Sequence, residues 1–318
     1  MTAPAHPPNR IEWVAASPAA VRVLELAAKV AATPTTVLIT GESGTGKDQL
    51  ARWIHEHSPR RDAPYLKIDC GSLPTELVES ELFGHEKGAF TGAVERKLGR
   101  LEIARSGTIV LDEVAALAPA IQSKLLRVLE ERRFERLGGS ETLRVDARLL
   151  ALTNADLPRA VAAGRFREDL YFRLNVFTIH VPPLRERPTD VIALAEHLLE
   201  RLATVHGRAA VEFESDVEAI LTAYAWPGNA RELKNAIERA LVFGKGPKVS
   251  AQDLPDAVRA AASPGGSAAG QLRSLEEIER EAIRATLEAT RFKLGRTAEI
   301  LGINRKTLLE KRKKYGLD

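Results

Sequence analysis

The sequence of 318 residues predicts an α/β domain built on a parallel sheet, a small helical subdomain and a separate all-α domain. Up to Val181, short apolar runs of strand length alternate with longer amphipathic runs, a pattern typical of parallel sheets covered by helices on both faces. Beyond Val181 the pattern is helical, and the Ala-, Gly-, Ser- and Pro-rich stretch from Ala260 to Gly270 indicates a flexible linker. The predicted organisation is a disordered N-terminus (1–10), an α/β domain (11–181), a helical lid (182–258), a linker (259–271) and a helix-turn-helix domain (272–318).

Local signals place the elements of the α/β domain and the lid. Ser17-Pro18 predicts the start of a helix that reaches about Lys29, because Ser is a favoured N-cap and Pro fits the first helical position. Apolar runs predict strands at Thr36–Thr40, Tyr65–Asp69, Thr108–Asp112 and Arg148–Thr153. Amphipathic runs predict helices at about Lys47–His57, Thr75–Phe83 and Ala120–Arg133, and in the lid at about Asp190–Val205, Ser215–Tyr224 and Ala230–Phe243.

Composition and charge exclude two classes of protein and indicate a third. The Ala-rich stretch 15–32 contains Arg22, Glu25 and Lys29, so it cannot span a membrane, and the N-terminus lacks the layout of a signal peptide. Cys70 is the sole cysteine, which excludes an internal disulfide and fits a reducing cytoplasm. Residues 291–318 contain nine Lys or Arg and three Asp or Glu, a net charge of +6, whereas the rest of the chain carries −3. Such a concentration of basic charge indicates a small nucleic-acid-binding module.

A glycine-rich turn between the first predicted strand and the next helix has the composition of a phosphate-binding loop. Backbone N–H groups and the helix N-terminus of such a turn face a phosphate, and Lys47 would reach the terminal phosphates of ATP. The usual motif continues with a Ser or Thr that binds Mg²⁺, but here the residue is Asp48. The alternative of an ordinary Gly-rich turn is disfavoured by the strand–turn–helix context. The candidate ATP-binding residues of this turn are Gly41, Glu42, Ser43, Gly44, Thr45, Gly46, Lys47 and Asp48.

Metal binding is predicted at the end of the strand Thr108–Asp112 rather than at histidines. Asp112 is placed to hold Mg²⁺, directly or through water, and Glu113 to polarise the water that attacks the phosphate. Acid pairs at strand ends are often only solvated, but the companion glycine-rich turn favours the catalytic interpretation. His55 and His57 occupy alternate positions that do not share a helix face, so we interpret their segment as surface.

The most specific motif is the run from Glu81 to Ala93, with the letters ELFGHEKGAFTGA. Glycines flank its centre and would present Phe90 and Thr91 outward on a flexible tip, although an isolated loop of this kind is usually an ordinary loop. In its place after a phosphate-binding loop, the run resembles the signature of the sigma-54-dependent transcriptional activators, also called bacterial enhancer-binding proteins. The resemblance covers about Ile11 to Leu317 and implies an AAA+ P-loop NTPase with a helical lid. It also implies that sigma-54 is contacted by Gly88, Ala89, Phe90, Thr91, Gly92 and Ala93.

The same resemblance implies roles for further residues of the ATP site. Asn154 matches the family's first sensor of the γ-phosphate, and Arg231 its second sensor, although a lone Asn at a strand end is usually a turn former. Arg167 and Arg173 match a pair at the subunit boundary, of which one or both act as arginine fingers on the neighbour's ATP. Six residues apart on a helix, they would lie on roughly opposed faces, and either could instead pair with a nearby acid. Asp69 stands where many relatives have an Asn that restrains the Glu corresponding to Glu113, so this switch would work through water or be weaker.

The C-terminal residues predict a helix-turn-helix. An amphipathic helix at about Glu276–Thr290, with Ile278, Ala282, Ile283 and Leu287 on one side, precedes a short helix at Gly295–Leu301. Gly302-Ile303 forms the turn, and Asn304 caps a second helix at Arg305–Lys314. This layout resembles the Fis-type C-terminus of the same family, with the stem of Arg312 along the core and its charge in solvent. The candidate DNA-binding residues are Asn304, Arg305, Lys306, Thr307, Lys311, Arg312 and Lys313.

The resemblance implies an ATP-hydrolysing activator that binds double-stranded DNA and opens promoters held by sigma-54 RNA polymerase. Its cofactors would be ATP and Mg²⁺, and it would assemble as a ring, a hexamer by family analogy, with dimerising DNA-binding domains. Because no regulatory domain precedes Ile11, we expect either a truncated chain or a regulator acting in trans. Two alternatives are an AAA+ remodeller of another target and a DNA-binding repressor with a vestigial nucleotide domain.

Overall fold

The computed structural model describes residues 13–208, 211–244, 246–261, 275–290 and 292–316. Contacts group the chain into two compact units that divide between Ala262 and Ser263. The N-terminus predicted to be disordered (1–10) and most of the predicted linker (262–271) lie outside the described residues, while 259–261 end a helix. No helix in these described ranges is long and apolar enough to cross a membrane.

The described residues alternate between strands and helices as the sequence predicts. In chain order the strands are β1 (Val37–Thr40), β2 (Tyr65–Asp69), β3 (Gly84–His85), β4 (Lys97–Leu98), β5 (Thr108–Asp112), β6 (Arg133–Glu135), β7 (Thr142–Arg144), β8 (Arg148–Thr153), β9 (Thr178–His180), β10 (Glu212–Phe213) and β11 (Lys248–Val249). The helices are α1 (Pro18–Ala31), α2 (Lys47–Glu56), α3 (Thr75–Phe83), α4 (Arg100–Ile103), α5 (Pro119–Glu131), α6 (Leu157–Ala162), α7 (Glu168–Leu174), α8 (Pro188–Val205), α9 (Val217–Ala223), α10 (Asn229–Phe243), α11 (Asp256–Ala261), α12 (Leu275–Ala289), α13 (Leu294–Ile300) and α14 (Arg305–Tyr315).

The central sheet is parallel throughout, with the strand order β2-β5-β8-β1-β9. Its register pairs Asp69 with Asp112, and Thr40 with both Thr153 and His180, so the carboxyl ends of all five strands meet at one edge. Open α/β sheets bind ligands at this edge. The fold class is confirmed. Strand β9 was not predicted, because three residues are too few for a periodic signal.

Apolar cores cover both faces of the sheet. On one face, residues of β5 and β8 pack with α3, α4, α5 and α7, as Leu111 and Leu125 illustrate. On the other face, residues of β1 and β8 pack against α1 and α2, including Ile39 and Leu50. The prediction for His55 was wrong: it is buried in this layer, where its Nδ1 lies 2.9 Å from Thr108 Oγ1, while His57 is exposed. A histidine can be buried here because the Thr108 hydroxyl satisfies it.

The lid packs α8, α9, α10 and α11 around Trp226, whose indole N–H donates to Leu221 O at 2.8 Å. The start of α1 is bonded to this lid. Ser17 caps α1 as predicted, since its Oγ accepts from Ala20 N at 3.1 Å. Buried Asp190 of α8 in turn accepts from the backbone N–H of Ser17 at 2.5 Å and from its hydroxyl at 2.9 Å.

Helices α12, α13 and α14 form the second unit. Its core consists of Ile283, Leu287, Ala298 and Leu308, and the hydroxyls of Thr290 and Thr297 lie 2.6 Å apart beside it. Ala282 is exposed, which corrects its predicted place on the buried face, and the side chain of Ile278 lies outside the described residues. The buried stripe is thus narrower than the sequence predicts, since three short helices enclose a small core.

Candidate functional site

The turn between β1 and α2 wraps around the ammonium of Lys47. Lys47 Nζ donates to the carbonyls of Gly41 at 2.8 Å and Glu42 at 3.0 Å, and burial lowers the pKa of Lys47, opposed by Glu113 and Asp112. Gly44 has φ +78°, and a Cβ there would meet the Gly228 carbonyl of the lid at 2.4 Å. Only glycine therefore lets the turn approach the lid this closely. A glycine-rich turn that leads into the start of a helix is an arrangement that suits a phosphate.

The two acids at the end of β5 have different surroundings. Asp112 Oδ1 accepts from Glu113 N at 3.0 Å, and Oδ2 lies 2.7 Å from Lys67 Nζ. Glu113 has left-handed backbone angles, φ 52° and ψ 50°, a strained conformation that is often found at functional sites. Its Oε2 accepts from the backbone N–H of Asn154 at 3.2 Å. The sheet thus brings Asp112, Glu113 and Asn154 to the edge where Lys47 lies.

Asp69 makes a local turn rather than a contact with Glu113. Its Oδ1 accepts from Gly71 N at 3.0 Å and Ser72 N at 3.1 Å. Burial raises the pKa of Asp69, but these N–H donors outweigh it and leave the pKa lowered. Gly71 lies between the two acids, since a Cβ there would be 3.4 Å from Glu113 Cβ and 3.6 Å from Asp69 Oδ1. Asp69 is therefore an ionised acid near Glu113, and it is held by backbone donors.

Residues of the lid form one side of the site. Arg231 Nη1 donates to Ser43 Oγ at 2.8 Å, which brings the predicted second sensor to the glycine-rich turn. A cavity of about 300 Å³ lies between the turn, the acids at the end of β5 and the lid. Its lining includes three lid residues that the sequence analysis missed, Leu194, Leu198 and Lys234. Lys234 lies one helical turn after Arg231 on α10, and this spacing is the only sequence signal for it.

A second lid contact fixes Glu42. Arg185 forms a two-pronged ion pair with it, with nitrogen–oxygen distances of 2.6 and 2.8 Å, and Asn229 Nδ2 donates to it at 3.2 Å. The hydrogen bond from Arg185, followed by that from Asn229, lowers the pKa of Glu42 to about 2. Asn229 is fully buried and also accepts from Leu184 N at 2.7 Å. The position of the lid is thus coupled to the conformation of the turn.

Arg167 and Arg173 do not reach this cavity within one chain. Arg167 lies at the N-cap of α7 and not within a helix, and its guanidinium pairs with Asp169 at 2.7 Å, the structural alternative considered above. Arg173 is on α7 and donates to Leu129 O at 3.3 Å. Both residues are exposed.

The loop 88–93 is a closed turn at the surface. Gly88 N donates to Ala93 O at 2.8 Å, and Ala93 N to Phe90 O at 3.0 Å. Phe90 is 44% exposed and contacts His85 edge-on at a ring distance of 5.0 Å, and Thr91 is exposed. The tip therefore presents an aromatic ring and a hydroxyl to a partner.

The hairpin β6–β7 supports the base of this loop. Glu86 N donates to Leu137 O at 3.0 Å, and Ala89 lies against Gly138. Arg136, almost fully buried, donates to Glu102 at 2.9 and 3.0 Å, to Glu86 at 2.8 Å and to Glu141 at 3.0 Å. The hydrogen bonds to Glu102 are the largest cause that raises the pKa of Arg136. This ionic cluster ties the hairpin to the base of the loop.

Helix α14 carries the basic residues predicted to bind DNA. Asn304 Oδ1 accepts from Thr307 N at 2.7 Å and from the Thr307 hydroxyl at 2.9 Å, so both side chains take part in the N-cap of α14. Arg305, Lys306 and Lys313 are exposed, and Arg312 is half-buried. Lys311 forms an ion pair with Glu279 of α12, a contact that was not predicted from the sequence. The exposed cations therefore lie at the N-terminal end and along one side of the second helix of the motif.

Comparisons with known proteins agree with this architecture. Residues 13–180 match the sigma-54 interaction domain, 185–271 the AAA+ ATPase lid domain, and 274–315 the Fis family of bacterial regulatory proteins. The chain is 45% identical to the regulatory protein AtoC of Escherichia coli over 95% of this chain and 67% of that protein. It is 46% identical to the transcriptional regulatory protein ZraR of Klebsiella oxytoca over 96% of this chain and 69% of that protein.

Solved structures of NtrX from Brucella abortus have the same fold. One superimposes with a TM-score of 0.73 at 35% identity, covering 95% of this chain and 69% of that chain. Another, in complex with ATP, gives a TM-score of 0.71 at 36% identity, covering 96% of this chain and 69% of that chain.

The parallel sheet, the glycine-rich turn and the lid define an AAA+ P-loop domain, and the C-terminal unit a Fis-type helix-turn-helix. The chain belongs to the family of sigma-54-dependent transcriptional regulators.

Proposed function

We propose that this protein binds and hydrolyses ATP and uses the reaction to remodel sigma-54 RNA polymerase, opening promoter DNA near sites to which its C-terminal unit binds. The observation that carries the proposal is the presence, in one domain, of a cavity lined by Lys47, Asp112 and Glu113 and of an exposed loop with the sequence GAFTGA. The ATP complex of NtrX from Brucella abortus supports nucleotide binding at the same fold.

The residues of the site have different chemical roles. Backbone N–H groups of the turn and the start of α2 bind the phosphates, and Lys47 exchanges its carbonyl partners for phosphate oxygens. Glu113 orients and polarises the attacking water, while Arg231 responds to the bound phosphate from the lid.

The residues around Asp112 suit Mg²⁺. Within the described ranges no group of three or more His, Cys, Asp or Glu is arranged for a metal, which fits an ion bound by one or two carboxylates together with phosphate oxygens. Asp112, with Asp48 beside it, would hold the ion, which neutralises charge on the phosphates during transfer.

Assembly belongs to the same proposal. Arg167 and Arg173 are exposed and lie outside the cavity of their own chain, as residues that act on a neighbour's ATP must. We infer a ring of subunits, a hexamer by family analogy, in the bacterial cytoplasm. The C-terminal units pair on double-stranded DNA.

The test is Thr91→Ala, measured for ATP hydrolysis and promoter opening in one preparation. Thr91 is exposed at the loop tip, so the change should leave ATP hydrolysis within about twofold of the unmodified protein, since surface substitutions rarely disturb a distant core. Binding to sigma-54 and open-complex formation should be lost. Thr222→Ala, an exposed threonine of the lid, is the matched control and should leave both activities intact.

The outcomes separate the alternatives. Normal promoter opening by both Thr91→Ala and Phe90→Ala would refute the remodelling of sigma-54 through this loop and favour another target. Failure of the unmodified protein to hydrolyse ATP would favour the repressor with a vestigial nucleotide domain.

A further inference from the structure

Lys67 is the one lysine of β2, and its ammonium lies between two carboxylates of the nucleotide site. Its Nζ is 2.6 Å from Asp48 Oδ1 and 2.7 Å from Asp112 Oδ2. Asp48 belongs to the first turn of α2, directly after Lys47, and Asp112 ends β5. A single side chain thus joins the helix that begins the phosphate site to the strand that ends in its metal-binding acid.

The register of the sheet explains this reach. Lys67 pairs with Val110 and Asp69 with Asp112, so Lys67 and Asp112 project from the same face of adjacent parallel strands, two residues apart. The four-carbon stem of lysine spans that offset. Burial alone would lower the pKa of Lys67, but the two carboxylates more than offset it, and the ammonium stays charged. Its side chain is 36% exposed, which leaves room to swing outward.

We propose that Lys67 occupies the place of the divalent cation when nucleotide is absent and is displaced from Asp112 when metal and nucleotide bind. This inference rests on the proposed ATP site and adds a residue that sets its metal requirement. A magnesium ion bound through Asp112 would put two positive charges within a few ångströms of the Lys67 ammonium. The lysine must then move to Asp48 alone or out to solvent, and the ion competes with it for Asp112.

The competition has three measurable consequences. Without Lys67, the metal meets no competing cation, so less Mg²⁺ should be needed for nucleotide binding. Without both Lys67 and metal, Asp48 and Asp112 face the phosphates unneutralised, so metal-free nucleotide binding should weaken. The free protein should also depend on the lysine for stability, because the two acids would otherwise repel each other across the gap between α2 and β5.

The experiment measures binding of fluorescent N-methylanthraniloyl-ADP to the full chain in EDTA and across a series of free Mg²⁺ concentrations. For Lys67→Ala, the Mg²⁺ concentration at half-maximal effect should fall by about fivefold, and the affinity in EDTA should fall by a similar factor, as expected for one partly screened charge. Lys67→Arg keeps the cation and should stay near the unmodified protein. Lys124→Ala removes a lysine whose 2.8 Å ion pair with Glu79 is remote from the cavity, and it should change neither value.

A second readout requires no nucleotide. Thermal unfolding of Lys67→Ala should occur at a lower temperature than that of the unmodified protein, and Mg²⁺ alone should restore part of the difference. Lys67→Gln replaces Lys67→Ala if the latter does not fold. An unchanged or higher Mg²⁺ requirement in a variant that still binds nucleotide overturns the inference. If even the unmodified protein binds no nucleotide at any Mg²⁺ concentration, the proposed ATP site fails instead.

Discussion

At the scale of single residues, Glu113 should separate nucleotide binding from turnover. The Glu113→Gln variant keeps the glycine-rich turn and Lys47 but loses the carboxylate that polarises water. We expect nucleotide affinity within about threefold of the unmodified protein and turnover reduced by about 10²- to 10⁴-fold, the usual contribution of a general base. Binding titrations and phosphate-release assays on one preparation measure both. A parallel loss of affinity and turnover would instead make Glu113 a structural residue, held by its bond to Asn154 N.

Glu42 gives a prediction about pH. Its pKa is lowered from 4.5 to about 2 by the hydrogen bond from Arg185 and then that from Asn229, so its link to the lid stabilises the fold fully above about pH 4.5 and is lost as pH falls toward 2. Because the side chain is 44% exposed, the contribution is at most about 1 kcal/mol. The melting temperature of Glu42→Gln should lie below that of the unmodified protein by a constant amount from pH 7 to pH 5.5. The gap should narrow below pH 4.5.

The matched control is Glu130→Gln, which replaces an exposed glutamate of α5. Its effect on the melting temperature should be small across the same pH range. A difference for Glu42→Gln that grows on acidification would contradict the assignment of the low pKa to the folded state.

Sequence motifs predicted the candidate site residues that lie in local patterns. Lys47, Asp112 and Glu113 could be predicted because the turn, the strand end and their order along the chain define the site. Lys67 and Asn229 could not, because their partners lie on other elements and only the tertiary fold brings them together. Asp69 shows the same limit: its identity suggested repulsion, but two backbone N–H groups decide its environment.

At the scale of elements, Arg136 should control how firmly the loop 88–93 is held. Replacing it with Ala removes the cation from three carboxylates, at Glu86, Glu102 and Glu141. Breaking such a buried cluster costs about 3 kcal/mol or more. We expect Arg136→Ala to lower the melting temperature and, at temperatures where it is folded, to reduce promoter opening more than ATP hydrolysis.

The control for Arg136 is Arg127→Ala on the neighbouring helix α5. Arg127 pairs with Glu131 at 3.2 Å, but both side chains are about half exposed, so the change should alter the melting temperature little. Arg136→Lys keeps the charge but lacks the planar guanidinium, so its losses of melting temperature and promoter opening should be intermediate. Equal losses of promoter opening and ATP hydrolysis in Arg136→Ala would show that the cluster supports the whole domain rather than the loop.

Long elements were predictable and short ones were not. Strands such as β5 and helices such as α5 carry enough apolar positions to define a period, and their bounds agree with the prediction within two residues. The strand β9 and the hairpin β6–β7 have three residues per strand, and only pairing with neighbours defines them. His55 was assigned to the surface because a hydrogen bond to Thr108 across two elements leaves no trace in the local pattern.

At the scale of the whole molecule, the sequence predicted the types of domain, since each type carries its own motif. It also suggested that part of the catalytic apparatus acts between subunits. In the structure, Arg173 projects from α7 and is exposed, with the exposed Phe172 (63%) beside it. In the ring proposed above, Arg173 would lie at the boundary with a second copy of the chain.

Mixing inactive subunits tests this boundary. Glu113→Gln subunits lack the water-polarising group but present an intact Arg173, and Arg173→Ala subunits have an intact site but no finger. In a mixed ring, some boundaries join the intact Arg173 of one subunit to the intact Glu113 of the next, so partial ATP hydrolysis should return. If the two variants mix at random in the rings, ATP hydrolysis should be highest near equal proportions and approach about a quarter of full activity. Either variant alone should stay near background, because an arginine finger contributes about 10³-fold or more to turnover.

The same mixing with Arg167→Ala decides whether that residue shares the role or only pairs with Asp169. The control mixes Glu113→Gln with Lys47→Ala, two defects of one and the same site, which no neighbour can complement. Recovery with Arg173→Ala but not with Lys47→Ala would place the finger in trans. If mixed rings form, as judged by subunits carrying different fluorophores, and no activity returns, Arg173 acts within its own chain and the boundary proposed here is wrong.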